Sequence, residues 1–451
     1  MIYRNDRNGS RKEVTKVTHD HYEPPKNVSV DGAKAFRGAV RVPGDKSISH
    51  RALLLAALAD GTSTIRGLSE GGDVKGTRAL ITHLGASVAD FSDHIQVRGG
   101  RSSLRQPEIT LNVGNSGTLI RLAAGLVAGV GGTYHFTGDD SVNRRPMGRI
   151  FAPLREMGAE IRAANNGSTA PFTIVSKNLH GISYDLPVAS AQVKSCILLA
   201  GLGANGITTV IERVPTRRHT EEMLLEAGAS IEVIRFPDRS EIRVQKSEIL
   251  PLNYDIPGDP SQAAFWLVAA LITKDSQVTV QNVYLGNLRT DFLDVLERMG
   301  GNISITHLTA NSADITASSS RLNATEIRPD EIAGLIDEIP ILAVAAAHAT
   351  GTTLISGASE LRVKESDRIS VTVEALRSFG VKVKEFPDGM AITGQADLHG
   401  GKVFAHLDHR IAMAALILGA AVPGTTEISG FETVESSYPG FLEDFSSLQP
   451  H

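Results

Sequence analysis

The chain has 451 residues, of which 41% are hydrophobic, 21% are charged and 5% are aromatic, and its formal net charge is −5. This length predicts two or three domains with enough apolar material for a core. An acidic chain with so few aromatic residues is atypical of nucleic-acid-binding proteins, and no apolar run is long enough for a membrane span. We therefore expect neither a nucleic acid nor a membrane as a partner.

The first 30 residues are polar and carry charges of both signs. They lack the apolar core of a secretory signal, and they contain acids that a transit peptide avoids. Residues 1–30 are therefore predicted to be a disordered N-terminal extension. The single cysteine, Cys196, excludes an intrachain disulfide and indicates a reducing compartment, so we expect a cytoplasmic protein.

One sequence unit follows this extension and recurs six times in chain order. Each copy begins with a helix of small apolar residues, passes through a turn and enters a β-branched run typical of a strand. A second, amphipathic helix follows, and in five copies it ends at a glycine suited to a left-handed C-cap. The six copies begin at Ser49, Gly117, Ala191, Ser261, Ile339 and Arg410, and the glycines are Gly85, Gly158, Gly228, Gly300 and Gly380. A sixth second helix is predicted from Pro439.

Two related turn sequences divide the six copies into two groups of three. VPGDKS begins at Val42 and IPGDPS begins at Ile256. Pro-Gly-Asp is typical of turns and not of element interiors. We interpret these stretches as the two crossings between domains. The first domain is predicted to comprise 46–256, and the second 31–45 together with 257–451.

The starts of these helices are more polar than capping requires. Helix N-termini attract anions through free N–H groups and the positive end of the dipole, and arginine adds bidentate recognition of phosphate or carboxylate. Seven cations lie at such starts, with two acids among them: Lys46, Arg51, Arg145, Arg217, Lys364, Arg368 and Arg410, and Asp337 and Glu365. The excess of five positive charges fits two phosphorylated carboxylic acids better than one, since a phosphate carries about −1.5 to −2. The alternative is that some of these arginines only pair with surface acids.

The sequence shows no pattern that requires a cofactor. Gly201–Gly206 fits G-x-G-x-x-G, but it follows a helix and precedes a strand, which is the reverse of the dinucleotide-binding order. The sequence contains neither a P-loop nor a Cys/His cluster with metal spacing. We therefore expect no metal and no organic cofactor.

Eight motifs, in order, resemble one family: PGDKSISHRALLLAALA, GNSGTLIRL, NRRPMGRI, SAQVKSCILLAGL, TRRHTEEML, LIDEIPILAVAAA, LRVKESDRI and LDHRIAMA. The family is that of the 5-enolpyruvylshikimate-3-phosphate (EPSP) synthases, and the resemblance covers about residues 36 to 445. It implies an α/β fold of two similar domains, each with three βαβαββ repeats (an inside-out α/β barrel), and an active site in the interdomain cleft. It also implies transfer of the enolpyruvyl group of phosphoenolpyruvate to the 5-hydroxyl of shikimate 3-phosphate with release of phosphate. Family members need no cofactor.

The resemblance also implies roles for individual residues. Asp337 would accept the 5-hydroxyl proton, Glu365 would move the proton at the methylene carbon, and Lys46 would contact both substrates. The residues implied to bind shikimate 3-phosphate are Lys46, Ser47, Arg51, Ser190, Ala191, Gln192, Arg217, Asp337 and Lys364. Those implied to bind phosphoenolpyruvate are Lys46, Asn115, Gly117, Arg145, Gln192, Arg368 and Arg410. Glyphosate is regarded in this family as an occupant of the phosphoenolpyruvate site, which Gly117 would line.

Three positions depart from better-known members of one branch of the family. Ser436 and Ser437 stand where a lysine precedes the aromatic-Pro pair, Ala191 replaces a serine, and Arg217 with Arg218 replaces a serine and an aromatic residue. These departures place the chain in the other bacterial branch.

A monomer is expected, and two alternatives to EPSP synthesis remain open. The sister enzyme that acts on UDP-N-acetylglucosamine shares the fold but typically uses a cysteine in a mobile loop, whereas Cys196 lies in a predicted helix. A binding module that only sequesters phosphorylated acids would not need Asp337 and Glu365 beside the cations.

Overall fold

The computed structural model describes residues 2–5, 11–13, 26–32, 34–394 and 397–449. These residues form two compact units, and the chain passes between them twice. The first unit comprises 44–256, and the second comprises the residues up to Pro43 together with those from Pro257 onward.

Four strands precede the first unit and belong to the second: β1 (Ile2–Asn5), β2 (Arg11–Glu13), β3 (Asn27–Asp31) and β4 (Arg37–Val40). The helices of the first unit are α1 (Lys46–Leu58), α2 (Gly72–His83), α3 (Gly117–Val130), α4 (Asp140–Arg144), α5 (Gly148–Glu156), α6 (Ala164–Gly167), α7 (Ala191–Gly201) and α8 (His219–Glu226). Its strands are β5 (Gly61–Arg66), β6 (Ser87–Asp90), β7 (His94–Gly99), β8 (Leu111–Asn112), β9 (Gly132–Thr137), β10 (Glu160–Ala163), β11 (Thr169–Ser176), β12 (Ser183–Asp185), β13 (Ile207–Glu212), β14 (Ile231–Arg235), β15 (Ser240–Gln245) and β16 (Asn253–Asp255).

The remaining elements belong to the second unit. Its helices are α9 (Pro260–Ile272), α10 (Asp291–Arg298), α11 (Ile332–Leu335), α12 (Ile339–Ala347), α13 (Arg368–Ser378), α14 (His409–Ala421) and α15 (Phe441–Ser447). Its further strands are β17 (Gln277–Tyr284), β18 (Asn302–Thr309), β19 (Ser312–Ser318), β20 (Glu326–Ile327), β21 (Thr352–Ile355), β22 (Lys382–Phe386), β23 (Gly389–Thr393), β24 (Lys402–Phe404) and β25 (Thr425–Ser429).

The described strands form six sheets, three in each unit, and all six follow one pattern. An edge strand pairs in parallel with a second strand, as β16 does with β5. The second strand pairs antiparallel with a third, and the third pairs antiparallel with a fourth, as in the order β5-β7-β6. The orders are β16-β5-β7-β6, β10-β11-β9-β8 and β12-β13-β15-β14 in the first unit, and β18-β19-β17-β4, β20-β21-β23-β22 and β2-β1-β3-β25-β24 in the second. The sixfold repeat predicted from the sequence is therefore confirmed at the level of sheet topology.

The sixth sheet takes its last strands from the start of the chain. β3 pairs antiparallel with β25, and Val28 and Val30 of β3 are buried. The prediction of a disordered extension through residue 30 is therefore wrong for residues 27–30, and β1 and β2 also belong to this sheet. Residues 1, 6–10 and 14–25 of the predicted extension lie outside the described residues.

The predicted glycine C-caps are confirmed at all five second helices. The glycines that follow α2, α5, α8, α10 and α13 have φ values of +112°, +102°, +72°, +91° and +84°. Only glycine adopts such backbone conformations without strain, so each glycine ends its helix and turns the chain into the next strand.

The core of each unit is built from the first helices of its three repeats. In the first unit α3 packs so closely on α7 that a Cβ atom on Gly125 would lie only 2.2 Å from the carbonyl oxygen of Cys196. In the second unit α9, α12 and α14 pack on one another, and α9 is buried over its whole length except for Ile272. Helices that are buried on all sides account for the nearly unbroken apolar runs in the sequence.

Candidate active site

The first helices of the repeats begin with side-chain caps in five cases out of six. Asp45 accepts a hydrogen bond from Ile48 N at 2.8 Å at the start of α1, and Ser116 and Ser190 cap α3 and α7 in the same way. Asp259 and Asp408 cap α9 and α14. Because these residues satisfy the capping requirement, the cations beside them are available for another role.

Lys46 stands at the start of α1 and pairs with an acid of α2. Its Nζ atom lies 3.0 Å from Oδ2 of Asp73, and both side chains are mostly buried. One turn later, His50 is fully buried, and its Nδ1 atom lies 2.6 Å from Oγ1 of Thr77. Burial, together with the charges of Lys46 and Arg51, holds the pKa of His50 well below its ordinary value, so this histidine is neutral.

A second group of predicted residues meets at the start of α3. Arg145 Nη2 donates to Oδ1 of Asn115 at 2.8 Å and to Oγ of Ser141 at 3.2 Å. A Cβ atom on Gly117 would lie only 2.6 Å from Nη1 of Arg145. The absence of a side chain at Gly117 therefore lets the guanidinium approach the first residue of the helix.

Arg121 joins this group, although the sequence analysis did not select it. Its Nη1 atom donates to the carbonyl oxygen of Gly117 and to Oε1 of Gln192, both at 2.9 Å. Nε2 of Gln192 in turn donates to Oγ1 of Thr118 at 3.0 Å. The available signal was one arginine in an otherwise apolar helix, a turn after Gly117. Arg121 thus connects the predicted residues of α3 with those at the start of α7.

The other predicted residues of the first unit lie at the starts of α1, α7 and α8. Arg51 is buried, and its Nη1 atom donates to the carbonyl oxygen of Ser47 at 2.9 Å. Ser190 and Ala191 are half-buried at the start of α7. Arg217 is half-buried two residues before α8.

In the second unit, four predicted residues surround Asp337, which lies between α11 and α12. Its Oδ1 atom is 3.4 Å from Nη1 of Arg368 and 3.7 Å from Nζ of Lys364, and its carbonyl oxygen accepts a hydrogen bond from Arg410 at 2.9 Å. Glu365 lies 2.6 Å from Nη2 of the same Arg368. The structure therefore gathers two carboxylates and three cations that are far apart in the sequence.

Arg368 is the centre of this second cluster, with a side chain that is 1% exposed. Its Nε atom donates to Oδ2 of the fully buried Asp408 at 2.8 Å. Burial alone would lower the pKa of Arg368, but Asp408, Glu365 and Asp337 together raise it above its ordinary value. This guanidinium is therefore a fixed positive charge, and Asp408 holds its orientation.

Ser436, one of the two serines that precede Tyr438 and Pro439, faces the start of α14. Its Oγ atom donates to the carbonyl oxygen of Thr433 at 2.8 Å and lies 3.4 Å from Nδ1 of His409, the residue before Arg410. A neutral hydroxyl therefore occupies this position.

Taken separately, the two units offer different chemistry. The first presents helix starts with cations and amide groups that suit phosphate and carboxylate groups. The second places two carboxylates beside three cations, which suits proton transfer next to a bound anion. Within the described parts of the chain, no group of three or more His, Cys, Asp or Glu side chains could hold a metal ion, and no helix is long and apolar enough to cross a membrane.

Comparison with known proteins identifies the family to which this chain is similar. Residues 30–445 match the family described as EPSP synthase (3-phosphoshikimate 1-carboxyvinyltransferase). The chain is 44% identical to a 3-phosphoshikimate 1-carboxyvinyltransferase of Streptococcus gordonii, over 92% of this chain and 99% of that one. It is also 44% identical to one of a Synechococcus strain, over 93% and 96% of the two chains.

A solved structure of EPSP synthase from Acinetobacter baumannii superposes with a TM-score of 0.82 and 38% identity, covering 93% of this chain and 98% of that one. The enolpyruvyl transferase NikO from Streptomyces tendae shares the fold with a TM-score of 0.75 at 18% identity. Family match, sequence identity and fold agree over nearly the whole chain, and the chain therefore belongs to the EPSP synthase (3-phosphoshikimate 1-carboxyvinyltransferase) family.

Proposed function

We propose that this chain transfers the enolpyruvyl group of phosphoenolpyruvate to the 5-hydroxyl of shikimate 3-phosphate and releases phosphate. The observation that carries the proposal is the cluster of the second unit, in which Asp337 and Glu365 lie beside Arg368, Lys364 and Arg410. An acid and a base held next to fixed cations match a reaction that moves protons while an anionic intermediate forms.

The chemistry proceeds by addition and then elimination. Asp337 accepts the proton of the 5-hydroxyl as the hydroxyl oxygen bonds to C2 of phosphoenolpyruvate, and Glu365 in its protonated form delivers a proton to C3. In the second step Glu365 takes a proton back from C3, the C2–O bond to phosphate breaks, and the departing phosphate takes up the proton that Asp337 released. A carboxylate within hydrogen-bond reach of an alcohol can act as a general base, and fixed cations stabilise the tetrahedral anion.

The remaining residues bind the substrates. For shikimate 3-phosphate we propose Lys46, Ser47, Arg51, Ser190, Ala191, Gln192, Arg217 and Lys364, together with Asp337. For phosphoenolpyruvate we propose Lys46, Asn115, Gly117, Arg145, Gln192, Arg368 and Arg410. The contacts of Arg145 with Asn115 and the close approach of Arg145 to Gly117 support treating those three as one anion site. We further propose a monomer that acts in the cytoplasm and needs neither a metal nor an organic cofactor.

Measurement of phosphate release tests this function directly. The purified chain is assayed with both substrates and, as controls, with each substrate alone. Asp337→Asn is the matched variant, because it keeps the size of the side chain and removes the base. We expect release only when both substrates are present, and a much lower rate for the variant.

Two other outcomes would replace the proposal. Tight binding of both substrates without phosphate release would indicate a sequestering module. Phosphate release with UDP-N-acetylglucosamine and phosphoenolpyruvate, but not with shikimate 3-phosphate, would indicate the sister activity. The buried position of Cys196 inside α7 speaks against the second outcome, since that activity typically uses a cysteine in a mobile loop.

A further inference from the structure

Arg51, which lies in the first repeat, is held by two hydroxyl groups that both come from the third repeat of the first unit. Its Nε atom donates to Oγ1 of Thr220 at 2.7 Å, and its Nη2 atom donates to Oγ of Ser195 at 2.7 Å. The two hydroxyl oxygens lie 2.6 Å from each other. Arg51, Ser195 and Thr220 are all buried, so these contacts form away from bulk water.

The direction of each hydrogen bond in this group follows from the chemistry. Arg51 can only donate, and Ser195 Oγ donates its single proton to the carbonyl oxygen of Ala191 at 2.6 Å. Ser195 must then accept from Thr220, and Thr220 accepts from Nε of Arg51. The hydrogen bonds therefore run from Arg51 through Thr220 and Ser195 to the carbonyl oxygen of Ala191. Ala191 lies at the helix start that we assign to shikimate 3-phosphate.

A buried ion-pair group fixes the two hydroxyls. Lys194 precedes Ser195 on α7, Glu221 follows Thr220 on α8, and their charged atoms are 2.7 Å apart. Lys194 also lies 3.0 Å from Glu212 at the end of β13, and its side chain is 0% exposed. Charges buried this completely tolerate little displacement, so the start of α8 is tied to the middle of α7.

We propose that Thr220 and Ser195 are positioning residues that fix the guanidinium of Arg51 in the orientation needed to bind the phosphorylated substrate. The inference rests on the proposed function, since it takes shikimate 3-phosphate as the ligand of Arg51. A guanidinium held at Nε and Nη2 has a defined plane, which leaves its remaining donors aimed in a fixed direction. The substrate is then recognised without further side-chain ordering.

The test compares Thr220→Val with Thr220→Ser. Valine matches threonine in shape but neither accepts from Arg51 nor donates to Ser195, whereas serine keeps both interactions. For Thr220→Val we expect the KM for shikimate 3-phosphate to rise about 10- to 100-fold, because a hydrogen bond to a charged group is lost. The KM for phosphoenolpyruvate should change little, and Thr220→Ser should behave as the wild type.

A second pair of variants separates positioning from general damage. Thr208→Val makes the same substitution at a buried hydroxyl that has no hydrogen-bond partner among the described residues, so its kinetics should not change. In an Arg51→Lys background, Thr220→Val should add no further loss of affinity, since lysine has no Nε donor for Thr220. If Thr220→Val does not fold, Ser195→Ala carries the same comparison.

Each outcome decides the proposal. An unchanged KM for shikimate 3-phosphate in Thr220→Val, an equal loss in Thr220→Ser, or an additive loss in the Arg51→Lys background would overturn it. Calorimetric titration with shikimate 3-phosphate keeps this test independent of turnover. A wild type that binds this ligand but releases no phosphate contradicts the proposed function, and the comparison of binding constants still decides the positioning role.

Discussion

Gly117→Ala changes the first residue of α3 by one methyl group and places it against two arginines. The added Cβ atom would lie 2.6 Å from Nη1 of Arg145 and 2.9 Å from Nη1 of Arg121. Ordinary contacts are about 3.5 to 4.0 Å, so both guanidinium groups would have to retreat by roughly 1 Å. Arg145 could not do so and also keep its hydrogen bonds to Asn115 and Ser141.

The cost should therefore fall on ligand binding and not on folding. The strained atoms are the ends of flexible side chains, and alanine exceeds glycine in helix propensity by about 1 kcal/mol. Losing one well-oriented, charge-assisted hydrogen bond to phosphoenolpyruvate would raise its KM by about 10- to 100-fold. The midpoint of urea unfolding should stay close to that of the wild type.

Steady-state kinetics with each substrate varied in turn measure this effect. Gly148→Ala is the matched control, because Gly148 is also the first residue of a helix and an added Cβ atom there meets nothing within 4 Å. We expect this control to leave both KM values unchanged. In parallel, the inhibition constant of glyphosate should rise by a larger factor than the KM for phosphoenolpyruvate, since one methyl group can discriminate by about 10- to 200-fold.

Three results would refute this reasoning. An unchanged KM for phosphoenolpyruvate in Gly117→Ala would mean that Arg145 and Arg121 do not orient that substrate. An equal effect of Gly148→Ala would mean that the helix start and not the arginine contact matters. Equal rises in the inhibition constant and the KM would mean that the space at Gly117 does not distinguish inhibitor from substrate.

Three further predictions use other parts of the molecule. Asp337→Asn should lose turnover by about 10²- to 10⁴-fold while still binding shikimate 3-phosphate in a calorimetric titration, whereas Arg410→Ala should chiefly raise the KM for phosphoenolpyruvate. Lys194→Met should cost about 3 to 5 kcal/mol in urea unfolding because it leaves two buried acids without their cation. Burial already raises the pKa of Glu221, so this loss should shrink as the pH falls toward the ordinary carboxyl value of 4.5 and Glu221 takes up a proton. Burial raises the pKa of Cys196 to about 12, so this thiol should not react with a disulfide reagent near neutral pH until the protein unfolds.

Local patterns were enough to predict the repeat and most of its helix ends. Glycines such as Gly85 and Gly158 end amphipathic runs, and the capping residues immediately precede the apolar helices, so these signals lie within a few residues of the elements that they control. Asp337 and Glu365 were likewise selected from local patterns, since Asp337 stands with Glu338 directly before an apolar helix and Glu365 follows Lys364 in a polar stretch.

Features that depend on partners distant in the chain were missed. Arg121 meets Gln192 across 71 residues, and Thr220 meets Arg51 across 169, so nothing near either residue indicates the contact. The strand β3 offers only two alternating valines, Val28 and Val30, and its partner β25 lies near the other end of the chain. A short strand such as β3 is stabilised by pairing with the sheet that it completes, whereas its sequence alone resembles that of a polar extension.

The structure also changes how the charge of the candidate site is understood. In the second unit Lys364, Arg368 and Arg410 stand beside four acids, which are Asp337 and Glu365 together with Asp408 at 2.8 Å from Arg368 and Glu338 at 4.0 Å from Arg410. The positive excess found in the sequence therefore does not belong to this unit.

The first unit places four of the predicted cations at its helix starts, which are Lys46, Arg51, Arg145 and Arg217. Asp73 lies 3.0 Å from Lys46. Arg145 and Arg51 are held by amide, hydroxyl and carbonyl oxygens, which orient a guanidinium without cancelling its charge. Guanidinium groups held in a fixed orientation attract phosphate and carboxylate groups through their positive charge. The first unit therefore presents oriented guanidinium groups at its helix starts, and the second presents carboxylates beside arginines of fixed charge, which fits the anion binding and the proton transfer that we propose.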